Sequence, residues 1–260
     1  MGSSVLTHIE AGVATLTLNR PQSMNAFDAE TARAISDAVD LFAGDPGVRV
    51  MVVTGMGRTF SAGGDFNWVL TWPELDAITR RVGADAMMGA VQAIYDFPKP
   101  SIARVQGAAV GGGVGLMLAC DFAIAAATAR FGLTSVRNGL LAGIAIPVLI
   151  EAVGPRVARQ LLMHGGTFDA ATALRIGLVD QTAEPDALDE VVAGLAAELK
   201  LGAPSVQTEV KRLIPAIDAV PHDTDVAPII GQHVANQCIT DEALEGMKAF
   251  LAKRKPRWAV

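Results

Sequence analysis

The stretch GAAVGGGVGLMLACDFAIAA, residues 107–126, decides how this chain folds. Three consecutive glycines precede an apolar run that is interrupted by a single acid, Asp121. The residues before it, SIARVQG (101–107), are typical of a short buried strand. A helix that begins at glycines presents backbone N–H groups that have no partner inside the helix. The sequence therefore predicts a strand, a glycine loop and a helix in direct succession.

A second glycine cluster, FSAGGDF (60–66), follows the stretch VRVMVVTG (48–55), which is typical of a buried parallel strand. Because glycine has no Cβ, a ligand oxygen can approach its amide closely. Two such loops after neighbouring strands could direct two N–H groups at one oxygen, which is the arrangement of an oxyanion hole.

Spacing excludes two other uses of glycine loops. Leu116 stands where the G-x-G-x-x-G dinucleotide pattern needs a glycine, and the G-K-[ST] of a nucleotide P-loop does not occur. One alternative stays open, in which Gly111–Gly113 serve only to let a helix pack closely on the sheet.

Several elements have recognisable ends. The alternation in VATLTLNRP (13–21) predicts a half-buried strand. Asp28 is a candidate cap for the helix that follows it, and Asp169 is a candidate cap for a later one that ends near Gly177. Pro155 suits the first position of a helix. Strands that alternate with helices indicate an α/β core.

The last part of the chain is helical. After Ala203 the pattern predicts two helical segments, separated by the linker AVPHDTDVAP (219–228). We therefore expect a core over residues 1–200 and a helical region over residues 201–260.

The composition bounds the function. The 260 residues carry a formal net charge of −6 and are 51% hydrophobic, with a mean hydropathy of +0.36. The negative charge argues against general nucleic-acid binding, and the apolar excess favours a large core or a surface covered by a partner subunit. The last thirteen residues, KAFLAKRKPRWAV (248–260), are basic in contrast to the chain as a whole. This basic tail either binds a phosphate group or is a solvated helix end. Its cations are Lys248, Lys253, Arg254, Lys255 and Arg257.

Two cysteines, Cys120 and Cys238, stand far apart without metal-type spacing. We expect both to be reduced and mostly buried, as in a cytoplasmic protein. The start of the sequence, MGSSVLTHIE, has no secretory pattern, and no apolar stretch reaches the ~18 residues of a membrane span.

Five separated motifs resemble the crotonase family, also called the enoyl-CoA hydratase/isomerase family, and within it the methylglutaconyl-CoA hydratase type. The resemblance implies an α/β, crotonase-like (ClpP/crotonase) spiral of ββα units with a C-terminal helical trimerisation region. It also implies a homotrimer or a dimer of trimers that binds an acyl-CoA substrate. The motifs are TLNRPQSMNAF (17–27), VVTGMGRTFSAGGDF (52–66), PSIARVQGAAVGGGVGLMLACDFAIAA (100–126), FGLTSVRNGLLAG (131–143) and FLAKRKPRW (250–258).

By the same resemblance, the N–H groups of Gly64 and Gly112 are the donors of a two-amide oxyanion hole for the thioester carbonyl. No metal and no cofactor are implied beyond the coenzyme A carried by the substrate. The basic tail gains a use, because Lys253 can meet the phosphates of CoA. The positions that correspond to CoA contacts are Met24, Asn25, Ala26, Ala62, Asp65, Phe250 and Lys253.

The usual acid and base are missing. Hydratases of this family use two glutamates, and the corresponding positions here hold Gly115 and Ser135. The aspartate position of dienoyl-CoA isomerases falls on Gly143. Ser135 keeps the catalytic position, but a serine hydroxyl cannot act as a general base unaided. Standard two-glutamate hydration is therefore doubtful, whereas a lyase or isomerase that forms a thioester enolate fits the resemblance.

Three alternatives stay open. A carboxylate with a raised pKa could replace the glutamates, with Glu74, Asp76 or Asp85 as candidates, although a surface charge is the stronger interpretation of each. The hole could instead serve an acyl-CoA hydrolase, or the protein could bind acyl-CoA without catalysis. Arg137 and Asn138 are either contacts for a polar acyl group or ordinary surface residues.

Other residues receive no catalytic role. The tract HDTD (222–225) is more typical of a solvated loop than of a metal site, and His164 is expected in a turn between helices. Trp68 and Trp72 are expected to pack in the core or in a lid over the pocket, with acyl-chain contact as the alternative.

Overall fold

A computed structural model describes residues 2–221 and 223–259. Its main sheet has six strands in the order β1-β2-β3-β4-β6-β9, and only β1 within it runs antiparallel to its neighbour. The strands are β1 (Val5–Glu10), β2 (Val13–Leu18), β3 (Val50–Gly55), β4 (Ser101–Val105), β5 (Ala109–Val110), β6 (Phe122–Ala126), β7 (Arg130–Gly132), β8 (Thr167–Asp169) and β9 (Gln181–Ala183).

Every residue of β3 is buried, as its β-branched sequence predicts. The register pairs Val13 with Val50, Met51 with Ser101 and Ile102 with Phe122. Because β3 and β4 are parallel, the loops that follow them leave from the same edge of the sheet. Both glycine clusters therefore begin at that edge.

A second, smaller sheet joins these loops. It has the order β5-β7-β8, and isolated parallel bridges pair Ser61 with Ala109 and Phe27 with Gly64. The strands of this sheet are two or three residues long, too short for the periodicity of side chains to reveal. Its position is what brings the two glycine loops together.

The helices cover the sheets and form the end of the chain. Asp28 caps α1 by accepting a hydrogen bond from Thr31 N, and Asp169 caps α6 in the same way through Thr172 N. The helices are α1 (Ala29–Gly44), α2 (Phe66–Val69), α3 (Ala77–Tyr95), α4 (Gly112–Leu118), α5 (Ile146–His164), α6 (Ala170–Arg175), α7 (Leu188–Leu199), α8 (Pro204–Asp218), α9 (Ala227–Cys238) and α10 (Asp241–Leu251).

Two predictions about helices need correction. α5 begins at Ile146 rather than at Pro155, and a kink at Gly154, where φ is 74°, makes Pro155 the start of its second half. The tail after Ala203 contains three helices rather than two, since Thr240 caps α10 through Ala243 N and so separates it from α9. His222, at the start of the HDTD tract, lies outside the described residues.

Arg49, the residue directly before β3, holds the end of the chain. Its guanidinium donates hydrogen bonds to the carbonyl oxygens of Lys200 (3.3 Å), Gly202 (2.8 Å) and Trp258 (3.0 Å). The indole N–H of Trp258 donates in turn to Leu201 O at 3.1 Å. The tail is therefore fastened to the edge of the sheet opposite the glycine loops.

Both cysteines are free thiols, as predicted, whereas the predicted burial is confirmed for Cys120 and wrong for Cys238, which is exposed. Burial raises the pKa of the Cys120 thiol well above its usual range. Among the helices of the described residues, none is long and apolar enough to cross a membrane.

Candidate active site at the two glycine loops

The two glycine loops are in direct contact. Val110 N donates a hydrogen bond to Ser61 O at 2.9 Å, which ties the loop after β3 to β5. A Cβ on Gly63 would stand 2.6 Å from Gly112 N and 2.6 Å from Val110 O, and φ of Gly63 is +86°. Only glycine meets both conditions at position 63.

The amides of Gly64 and Gly112 are the free ones in this contact. The residues on both sides of Gly64 are paired with Phe27, since Phe27 N donates to Gly63 O (2.8 Å) and Asp65 N donates to Phe27 O (3.0 Å). Gly112 is the first residue of α4, a position whose N–H has no partner inside the helix. Within residues 2–221 and 223–259, neither the Gly64 N–H nor the Gly112 N–H donates a hydrogen bond.

The surroundings of these amides are apolar. A Cβ on Gly64 would stand 3.2 Å from Met87 Cε, and a Cβ on Gly112 would stand 2.7 Å from Ile144 Cδ1 and 3.1 Å from Phe27 Cζ. Apolar side chains exclude water, and electrostatic interactions with a ligand are stronger where water is excluded. The arrangement can therefore bind an oxygen whose negative charge grows during a reaction.

The two glutamate positions lie beside the loops. A Cβ on Gly115 would stand 3.3 Å from Ala145 Cα, because the 3₁₀ turn Gly143–Ala145 packs directly on α4. Ser135 is half-buried, and its Oγ is 3.5 Å from the Cβ position of Gly111. Within the described residues its hydroxyl has no hydrogen bond, so it remains free for a ligand.

The segment Met24–Ala26 borders the first glycine loop. Ala62 N donates to Met24 O at 2.9 Å, and 58% of Met24 is exposed. Asn25 is buried instead, and its side-chain amide donates to Met56 O (2.9 Å) and Thr59 O (2.7 Å). The Asn25 side chain therefore holds the protein chain, while Met24 offers a surface to a ligand.

Both carboxylate oxygens of Asp65 already have partners within the protein. Its Oδ1 accepts a hydrogen bond from Asn67 N at 3.0 Å, and its Oδ2 is 2.8 Å from Nη2 of Arg20. Arg20 is not among the site residues that the sequence predicts. The available signal was a cation two residues after the last residue of β2, within the NRP of residues 19–21.

The three replacement carboxylates are surface charges. Asp76 caps α3 by accepting from Ile78 N and Thr79 N, and these hydrogen bonds lower its pKa. Asp85 pairs with Arg81 at 2.7 Å on an exposed face of α3. Glu74 is exposed in the 3₁₀ turn before that helix.

The tryptophans pack against each other and against α3. The rings of Trp68 and Trp72 meet edge to face at 5.1 Å, and the Trp68 ring covers Gly83. Trp72 Nε1 is the buried side-chain nitrogen or oxygen atom that has no partner within the described part of the chain. These contacts favour packing against α3 as the role of the pair.

Arg137 and Asn138 are exposed. Arg137 Nε donates to the carbonyl oxygen of His164 at 3.3 Å, and His164 Nδ1 accepts from Gly166 N at 3.1 Å. His164 therefore ends α5 and stabilises the turn after it, as expected for a turn residue. Among the residues described, no three histidine, cysteine or acidic side chains converge as metal ligands.

Phe250 and Lys253 are not brought to the glycine loops of their own chain. The tail is fastened at Arg49, which precedes β3, whereas Gly64 follows that strand. The Phe250 side chain is 83% exposed, and Lys253 ends α10 in a left-handed conformation with φ 50°. Within the described residues, no backbone hydrogen bond joins either residue to the glycine loops.

A cleft of about 650 Å³ opens at the edge of the sheet opposite the glycine loops, between α8 and the core. Pro100 and Asp121, which directly precede β4 and β6, line it together with the hydrogen-bonded pair Tyr95 and Glu151 (3.1 Å). It is separate from the candidate site, because its residues lie at the amino ends of those strands.

Known proteins resemble this chain over nearly its whole length. A family model described as "Enoyl-CoA hydratase/isomerase" matches residues 8–260. A crotonyl-CoA hydratase of Syntrophomonas wolfei is 34% identical over 97% of this chain and 96% of its own. A carnitinyl-CoA dehydratase of Salmonella typhi is 33% identical over 94% of this chain and 93% of its own. The crystal structure of an enoyl-CoA hydratase from Shewanella pealeana superposes with a TM-score of 0.93 at 30% identity, covering 98% of this chain and 96% of that one.

Proposed function

Since the chain belongs to the enoyl-CoA hydratase/isomerase family, we propose that it acts on an acyl-CoA thioester whose carbonyl oxygen is bound by the N–H groups of Gly64 and Gly112. One observation carries this proposal. Two backbone amides without a hydrogen-bond partner in the described residues belong to loops that touch, because a Cβ on Gly63 would stand 2.6 Å from Gly112 N.

The chemistry that these donors favour is formation of a thioester enolate. When a proton or another group leaves the α-carbon, negative charge moves to the carbonyl oxygen, where two positioned amides stabilise it. Removing one such donor from an enzyme typically costs about 10²–10³ in rate. The amides supply this stabilisation without a metal or a redox cofactor, so coenzyme A enters only as part of the substrate.

We do not propose hydration by two carboxylates. Ala145 packs on Gly115, and the Ser135 hydroxyl oxygen lies 3.5 Å from the Cβ position of Gly111. Met87 and Ile144 make the space beside the amides apolar. A lyase or isomerase that forms an enolate, with Ser135 as a hydrogen-bonding residue rather than a base, fits these neighbours.

The CoA portion would extend from the loops along Met24, Ala26 and Ala62. Phe250 and Lys253 would reach it from a neighbouring subunit, in a homotrimer or a dimer of trimers. This is supported by α8 and α9, whose residues are all described and include no buried side chain. Helices with exposed aliphatic residues favour coverage by a second subunit.

Turnover of a panel of acyl-CoA thioesters tests the reaction class. Loss of the conjugated enoyl-thioester absorbance reports hydration, a shift of the double bond reports isomerisation, and a thiol reagent reports release of CoA. We expect conversion of the acyl group with CoA still attached. Release of free CoA alone would establish a hydrolase instead, and tight binding without any product would establish a binding protein.

Binding of acetoacetyl-CoA tests the amide pair without turnover. The α-carbon of this β-keto thioester is acidic, and its enolate absorbs in the near ultraviolet. Stabilisation of the enolate by Gly64 and Gly112 lowers the pH at which that absorbance appears, relative to the free thioester. If the bound thioester titrates like the free one, the proposed role of the two amides is wrong.

A further inference from the structure

The direction of the Gly64 N–H is fixed by its neighbours. Phe27 receives a hydrogen bond from Asp65 N at 3.0 Å and donates one to Gly63 O at 2.8 Å. The peptide groups before and after Gly64 are thus both paired with one residue of another loop. If Phe27 moved relative to the glycine loop, both of these hydrogen bonds would move with it, and the Gly64 N–H would change direction.

The loop that carries Phe27 holds a strained conformation. Met24 and Asn25 both have positive φ, 54° and 55°, which non-glycine residues adopt only where the surroundings impose it. The Asn25 side chain supplies part of that support through Met56 O and Thr59 O. These contacts hold the start of the loop, whereas Phe27 itself lies two residues farther on.

Arg20 supports the part of the loop around Phe27. Its Nη1 donates to Ala26 O at 2.7 Å and is 3.3 Å from an Asp28 carboxylate oxygen. Its Nη2 contacts Asp65 Oδ2 at 2.8 Å. The guanidinium therefore joins the residue before Phe27, the residue after it and the residue after Gly64.

The ion pair is well shielded from water. The Asp65 side chain is 10% exposed and the Arg20 side chain 22% exposed, so the pair is weakly screened. Asp65 without Arg20 would be a nearly buried carboxylate with no counter-ion, which is strongly unfavourable. The guanidinium is also planar, and its two ends reach separate partners in a way that one ammonium group cannot.

We infer that Arg20 is a positioning residue for the Gly64 N–H, acting through Asp65 and through the backbone on both sides of Phe27. The inference rests on the proposed function, because it assigns Arg20 to one of the two amides that bind the thioester oxygen. Arg20 does not touch the substrate. It fixes the direction of the Gly64 N–H. This donor stabilises the negative charge on the thioester oxygen only if it is aligned before the reaction begins.

The test uses Arg20→Lys and Asp65→Asn in the full-length protein with acetoacetyl-CoA as the probe. Arg20→Lys keeps the positive charge, but one ammonium group cannot make the contacts of both Nη1 and Nη2. Asp65→Asn keeps the size and the capping oxygen for Asn67 N and loses the ion pair. The matched control is Arg104→Lys, because the Arg104 side chain is also 22% exposed and pairs with an aspartate, Asp189, at 2.5 Å.

Three quantities are measured for each variant: the pH midpoint of the bound enolate absorbance, the dissociation constant of free CoA, and Tm. A misdirected donor costs about 10- to 100-fold in enolate stabilisation, so the midpoint moves about 1–2 pH units toward that of the free thioester. We expect this in Arg20→Lys and Asp65→Asn, with the affinity for free CoA unchanged. Arg104→Lys should leave the midpoint in place and lower Tm less, because the Asp189 side chain is 81% exposed.

The outcomes separate this inference from the proposed function. If the wild-type protein itself does not stabilise the enolate, the role of the amides fails and the inference fails with it. If the wild type does so, and Arg20→Lys and Asp65→Asn titrate like Arg104→Lys, only the positioning role of Arg20 is overturned. If Arg20→Lys does not fold, the pH midpoint of the enolate bound to Asp65→Asn tests the positioning role of Arg20 in the same way.

Discussion

Ile144 lies over the first residue of α4, with its Cδ1 atom 2.7 Å from the position that a Cβ on Gly112 would take. The side chain arrives there because the turn Gly143–Ala145 packs on that helix. The same turn leaves little room at Gly115, where an added Cβ would stand 3.3 Å from Ala145 Cα. One short turn thus accounts for glycine at a proposed oxyanion donor and at one of the two expected glutamate positions.

Gly112→Ala should destabilise the protein and weaken enolate binding. The added methyl group meets Ile144 and Phe27, and overpacking of this kind costs about 1–3 kcal/mol. Unfolding in urea measures the loss, and acetoacetyl-CoA absorbance measures the site. The double change with Ile144→Ala removes the nearer contact and should recover part of the stability. Unchanged stability in Gly112→Ala would contradict the packing described here.

Ser135→Glu should introduce hydration of crotonyl-CoA. The Ser135 hydroxyl is half-buried beside Gly111, so a carboxylate at this position would enter a site that otherwise lacks a base. A general base contributes about 10²–10⁴ in rate. The rate of loss of enoyl absorbance checks the gain, with Ser135→Gln as an uncharged control of equal size. Equal rates in the two variants would show that this position cannot serve as the base.

Asp76→Ala should keep full turnover and lower the stability of the protein, because it removes the cap of α3. Its hydrogen bonds to the backbone lower the pKa of Asp76, which is the opposite of what a general base at neutral pH needs. Asp85→Ala, which removes an exposed ion pair, should change neither quantity measurably. Loss of turnover in either variant would restore the carboxylate hypothesis.

The single tyrosine of the sequence, Tyr95, should titrate at high pH. Burial and the hydrogen bond to Glu151 raise its pKa from 10.0 to about 12. The unfolded chain therefore loses this proton first, so Tyr95 contributes stability that is complete below about pH 10 and is lost between about 10 and 12. Tyrosinate absorbance measures the folded pKa directly.

Tyr95→Phe provides the control for that pH dependence. Phenylalanine has no proton to lose, so the variant's free energy of unfolding should fall less steeply than the wild type's between pH 10 and pH 11. Parallel curves, or tyrosinate absorbance that appears near the ordinary pKa, would contradict the placement of Tyr95 beside Glu151.

The elements that the sequence predicts best are those with a local cause. The Asp28 cap and the buried strand β3 depend on neighbouring residues, and both are confirmed. The α/β fold class implied by the family resemblance is confirmed as well, since the structure of an enoyl-CoA hydratase superposes with a TM-score of 0.93. The boundary between residues 1–200 and 201–260 stays a prediction.

The site was only partly predictable, because its support comes from distant parts of the chain. Arg20 and Asp65 are 45 residues apart, and nothing local to either one announces the pair. The contact of Ile144 with α4 likewise could not be predicted from the local sequence of either element. Asp76 is different, because a residue that stands directly before a helix is more often its cap than a base.

Arg49 fastens the C-terminal region through three carbonyl oxygens of the main chain, at Lys200, Gly202 and Trp258. Every amino acid has a main-chain carbonyl oxygen. This attachment therefore depends on the path of the backbone and not on the identity of the side chains at these positions. The outward-facing side chains of the tail can therefore change during evolution while this attachment to the sheet is kept.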